Sequence, residues 1–156
     1  MSQLSVFNSL KSTLEAISGV KHVALWNNQV SNENMEIPFL YPAIFIQFTN
    51  DNFQELSKGN QLYDSVVTLH ICFESYATDD TAILTLKETV YSAVHKKTQT
   101  ATNSPMYRVA ERENYDHNNI QVYEQDYRTT IKDFGADQRA TTPATVTILA
   151  TPKTIL

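Results

Sequence analysis

The alternation in residues 65–74 constrains this chain most. Val67, Leu69, Ile71 and Phe73 take every second position, with Val66, Thr68, His70, Cys72 and Glu74 between and around them. Successive strand side chains point to opposite faces, so this stretch predicts a strand with one wholly apolar face and one mixed face. The apolar face should meet helices. Two segments offer a matching stripe. Over residues 2–18, Leu4, Phe7, Leu10, Leu14 and Ile17 recur at three- and four-residue spacing, and Gly19 supplies a left-handed helix stop. A second helix starts at an Asp79 or Asp80 cap and runs to about His95, with Ile83, Leu86, Val90, Tyr91 and Val94 inward and Lys87 and Glu88 outward.

The rest of the chain reads as strands and polar connections. Residues 20–26 are rich in strand formers and break at Asn27 and Asn28. A polar loop over 29–39 centres on Asn32, Glu33 and Asn34, and a strand follows over 40–48 with Pro42 near its start. A second polar loop, 49–61, carries Asp51, Glu55, Lys58 and Gly59. After a loop over 96–104, strands over 106–115 and 120–132 are joined by Asp116, His117, Asn118 and Asn119, a tight hairpin link. The order is helix, three strands, helix, two strands, with no internal repeat. Past Asp133 the character changes. Residues 134–144 are linker-like, and residues 146–150 could form one short strand with no partner beside it in sequence. Residues 1–133 therefore form the expected domain. Residues 134–156 form an extended C-terminal arm, in which Val146, Ile148 and Ala150 would dock on another chain.

Composition excludes several function classes. A length of 156 residues suits one domain, and 42% apolar residues can fill a core. A net charge of -5 argues against a general nucleic-acid or anionic-membrane binder, which needs a basic footprint. One cysteine allows no internal disulfide and no four-thiolate zinc site. Gly19, Gly59 and Gly135 stand too far apart for a phosphate-cradling loop. The apolar runs are too short to cross a bilayer and the first residues lack signal-peptide character, so a reducing cytoplasm is the expected setting.

Candidate chemistry is thin. His70 and Cys72 share a strand face and could form a thiol–imidazole pair or ligate a metal, but half-buried sheet residues are the simpler account. Asp116 and His117 fall in a turn. Glu111, Glu113, Glu124 and Asp126 could perform acid–base work, yet Arg108, Arg112 and Arg128 interleave with them and cross-strand charge pairing accounts for both sets. Tyr107, Tyr115, Tyr123 and Tyr127 could stack nucleic-acid bases, but no groove of positive charge accompanies them. His22 and His95 read as surface or boundary residues. The expectation is a chain with no enzymatic activity, no cofactor and no metal, whose function lies in its surfaces.

The order of elements resembles the tail terminator (tail completion) proteins of long-tailed bacteriophages and neck proteins of related fold. The likeness lies in the helix ending at Ser18, Gly19 and Val20, and in the run Val23-Ala24-Leu25-Trp26-Asn27. It continues through Tyr41-Pro42-Ala43-Ile44-Phe45-Ile46 and Val66-Val67-Thr68-Leu69-His70-Ile71, and closes with residues 115–123 and the strand ending near Asp133. The resemblance implies an α+β fold: a mainly antiparallel sheet of four to five strands with two helices packed on one face, plus the extended arm. It implies a structural virion protein, assembled in the host cytoplasm and placed in the neck or tail. Subunits would form a homo-oligomeric ring, typically of six, that terminates the tail tube and joins it to the head–tail connector. DNA would pass through without specific binding, and no catalytic residues are carried over. The arm exceeds the compact core of the family, so a neck ring of twelve is also open. A small non-enzymatic binding or assembly-helper module, for another virion protein or single-stranded nucleic acid, is the alternative.

Overall fold

The computed structural model describes residues 2–31, 39–74, 79–115 and 119–134. It is an α+β fold. Helix α1 (Ser2–Glu15) leads to strand β1 (His22–Leu25), a 3-10 turn (Gln29–Ser31), β2 (Ala43–Ser57), β3 (Asn60–Glu74), helix α2 (Asp80–Val94), β4 (Tyr107–Asn114) and β5 (Ile120–Asp133). One sheet has the order β1-β2-β3-β5-β4. Only the β1–β2 pairing is parallel; the other three are antiparallel.

Both helices lie on one face, where most of each stripe read from sequence meets the sheet; Leu4 is the exception, half-exposed, while Val6, outside the expected stripe, is fully buried. Leu10 and Leu14 from α1 and Ile83, Leu86, Val90 and Val94 from α2 pack with Val67, Leu69, Ile71 and Phe73 of β3. Each such side chain, fully buried, stabilises the fold by roughly 1.5–3 kcal/mol. Asp79 is the N-cap of α2: its carboxylate accepts the Ala82 backbone N–H at 2.8 Å. Helix α1 ends at Glu15, three residues before the expected stop, and Gly19 takes its φ of +94° within the turn that follows.

Residues 49–61 are a correction. The expected polar loop is the outer half of a long β2–β3 hairpin, with Thr49 opposite Val66, Asn50 opposite Ser65 and Asp51 opposite Asp64. Lys58 and Gly59 both have positive φ, 53° and 84°, as a tight two-residue hairpin turn requires. Residues 51–57 of β2 are exposed on both faces, so they carry no apolar alternation. The backbone ladder, the Phe53–Tyr63 ring stack and hydrogen bonds such as Ser65 to Asn50 and Asn52 to Asp64 hold the hairpin extended. The mixed face of β3 also differs from expectation. Thr68, His70 and Cys72 are as buried as the apolar residues between them. The expected link at residues 116–118 and most of the 29–39 loop lie outside the described residues. So does the arm beyond Phe134, including Val146, Ile148 and Ala150.

Candidate functional site on the open face of the sheet

The face away from the helices has two zones. At the end near the start of β2, Ala43, Phe45, Cys72 and Val122 form a second apolar cluster, roofed by Trp26, Val30, Phe39 and Tyr41. Beyond it the face turns polar, because the register sets one charged row directly across the strands. His70 on β3 pairs with Glu124 on β5, which pairs with Arg112 on β4. Trp26 closes the row by stacking on the His70 ring, with centroids 3.8 Å apart and planes inclined by 6°.

This row is a connected network. Glu124 Oε1 lies 3.2 Å from His70 Nδ1, a close contact set off the line of a hydrogen bond. Its Oε2 receives Arg112 Nε at 2.5 Å. Arg112 also donates from Nη1 to Asp126 Oδ2 at 2.6 Å, and Thr68 donates its hydroxyl to Asp126 Oδ1 at 2.7 Å. The Asp126 hydrogen bond, ahead of the carboxylate charges, raises the Arg112 pKa against the opposing effect of burial. His70 Nε2 meets Gln47 Oε1 at 2.8 Å. Buried charges persist only when paired in this way, and the Glu124 and Asp126 carboxylates are each held from two sides.

The arrangement orients charge, and it does not pair the Cys72 thiol with the His70 ring. Cys72 lies two residues along the same strand from His70, and its Sγ points to the His70 backbone carbonyl rather than to the ring. Burial, with the Glu124 charge added, pushes the Cys72 thiol well up, away from the thiolate a nucleophile needs. Among the described residues no group of three His, Cys, Asp or Glu side chains could hold a metal ion. Among them, too, no helix is long and apolar enough to cross a membrane.

The remaining sequence candidates are dispersed. Glu111 faces the helices, 2.6 Å from Lys87 Nζ on α2 and 3.1 Å from Arg108. Burial pushes its carboxyl up, but hydrogen bonds from Lys87 and Gln125 and the Lys87 and Arg108 charges prevail, and its pKa is lowered. Glu113 accepts the Tyr115 hydroxyl at the exposed end of the sheet. The four tyrosines make no platform: Tyr127 is fully buried, donating to Gln125 Oε1 at 2.7 Å, while Tyr107 is half-exposed on a strand edge. His22 packs against Phe39 and Phe45, and burial lowers its pKa. His95 ends α2 and accepts the Arg108 backbone N–H. Asp116 and His117 lie outside the described residues. Sequence reasoning missed Trp26, Gln47 and Asn114 as members of the network, the last donating its side-chain amide to Glu124 Oε1. Only strand register places them, and no local spacing signals it.

No family model matches the chain, and no curated protein sequence matches it. Among solved structures, the fold is similar to that of a chain in the "Virion of native gene transfer agent (GTA) particle". The TM-score is 0.50 at 7% identity, covering 84% of this chain and 94% of that one. The likeness is one of fold.

Proposed function

We propose that this chain is a structural virion protein that forms a ring at the head–tail junction, where it terminates or joins the tail tube and leaves a passage for DNA. The observation that carries this reading is the fold shared with a component of a gene transfer agent particle, over nearly the whole of that chain. The resemblance of the element order to tail terminator and neck proteins points the same way. Physical features agree. A net charge of -5 repels phosphates and favours passage of DNA over adhesion. A charged network locked into a sheet face presents a rigid surface, suited to positioning a neighbour rather than to chemistry. One heterologous contact repeated by a closing rotation generates a ring. In this reading the protein is not an enzyme, and its partners are further copies of itself, the tail tube and the head–tail connector.

Light scattering with negative-stain imaging of the purified protein tests the proposal, alone and after mixing with tail-tube and connector proteins. The expected result is a ring of six or more copies with an open centre. A chain that stays monomeric under both conditions overturns it.

A further inference from the structure

The sheet has an open slot on its β2 edge. Strand β1 covers β2 only from Ala43 to Ile46, and the last contact on that side is the Trp26 N–H bonding the Ile46 carbonyl at 2.8 Å. The chain then turns away at Asn28, whose φ is +63°. On that side residues 47–51 of β2 therefore have no strand beside them among the described residues, while β3 pairs them on the other until the ladder is interrupted between Asp51 and Gln54. Backbone groups alternate sides along a strand. Because Ile46 faces outward, Phe48 and Asn50 each direct an N–H and a C=O into the slot.

An apolar groove of about 300 Å³ adjoins this slot on the helix side, lined by Leu4, Phe7, Leu25 and Phe48 together with Gln3. Leu4 and Leu25 are 49% and 54% exposed. The other outer strand, β4, is a poorer template. It bulges between Arg108 and Ala110 and carries Arg108, Glu111, Arg112 and Glu113, devices that discourage edge pairing. The slot on β2 has one charge, Asp51, at its far end.

A slot of this kind accepts an extended segment with apolar side chains at alternate positions. The chain itself contains one of matching length. Residues 146–150 read Val-Thr-Ile-Leu-Ala, placing Val146, Ile148 and Ala150 on one face. Residues 135–145 can span up to about 36 Å when extended. The slot lies roughly 20–25 Å from Asp133 by strand spacing and rise. For a chain's own segment, however, α1 lies across the path on the helix side, with Val6 packed on Tyr63 and Ile131 and Gln3 bonded to Asn50.

We propose that residues 146–150 of one copy add as a strand to the β2 edge of the neighbouring copy, with Val146 and Ile148 entering the groove between Leu4, Leu25 and Phe48. The inference rests on the ring reading for the identity of its partner, a second copy. Repeated around a ring, the exchange ties each copy to the next by backbone hydrogen bonds as well as apolar contact.

Cysteine cross-linking of full-length protein tests it. Tagged Leu25→Cys chains are mixed with untagged Ile148→Cys chains and oxidised, with the unsubstituted chain, carrying only buried Cys72, as control. The expected product is a tagged–untagged covalent dimer, which only an exchange between copies can give. No cross-link between the tagged and untagged chains overturns the proposal. Leu25→Lys and Ile148→Asp, both full-length and checked for fold by circular dichroism, should each weaken self-association at least tenfold. Rings that form in wild type and persist unchanged in both variants, without cross-links, refute the exchange and leave the ring reading standing. A cross-link that yields only open chains refutes the ring and keeps the exchange.

Discussion

Replacing Glu124 with alanine removes the centre of the charged row. The carboxylate is 8% exposed, and the His70 ring beside it is 4% exposed. Asn114 donates its side-chain amide to Glu124 Oε1 at 3.2 Å, and a hydrogen bond to a buried charged group contributes about 1.5–3 kcal/mol. Arg112 is 48% exposed and keeps Asp126, so solvent screening reduces its share to about 1 kcal/mol. The expected destabilisation is therefore about 3 kcal/mol, which lowers the melting temperature of a domain this size by about 6–12 °C. Urea denaturation of the single variants Glu124→Ala and Arg112→Ala and of the double variant measures it. Arg112→Ala alone, which removes the Asp126 contact as well, should cost about 2 kcal/mol, and the pair should show about 1 kcal/mol of coupling. A Glu124→Ala variant within 1 kcal/mol of wild type, or strictly additive substitutions, would mean that the row is a set of solvated charges rather than a network.

Two further outcomes follow from the site's other groups. Glu111 has its pKa lowered from 4.5 in the folded chain, so its contribution is present above the unfolded value and is lost as pH falls through the folded one. Denaturation across pH 3 to 6 should show a shallower acid loss in Lys87→Met than in wild type; parallel curves would remove Lys87 as the cause. Cys72, wholly buried with its pKa raised, should resist a thiol reagent at pH 8 until the chain is unfolded, and prompt labelling of the native protein would contradict its placement.

Local chemistry made much of the fold legible. The Asp79 cap and the stripe of Ile83, Leu86, Val90 and Val94 located α2, because capping and helical periodicity act within a few residues. The alternation of Val67, Leu69, Ile71 and Phe73 located β3 and the face its helices cover. The outer half of β2 was not legible as strand, since residues 51–57 are exposed on both faces and need no apolar alternation, although Lys58 and Gly59 were a usable turn signal. The network was legible only as a list of charges. Arg112 was expected to pair across strands, and it does, but that Glu124 sits between it and His70 depends on the register of β3, β5 and β4.

The sequence by itself thus determined the two helices, strand β3, most of the buried side of each helix and the lack of a phosphate loop or disulfide, because these follow from residues close together in the chain. Tertiary structure decided which strands are neighbours, and with that the Trp26–His70–Glu124–Arg112 row and the open edge beside Phe48. Those features exist only where distant segments meet in one register. The physical reason is that strand pairing is made by backbone groups that every residue carries, so its choice of partner leaves almost no mark on the local sequence.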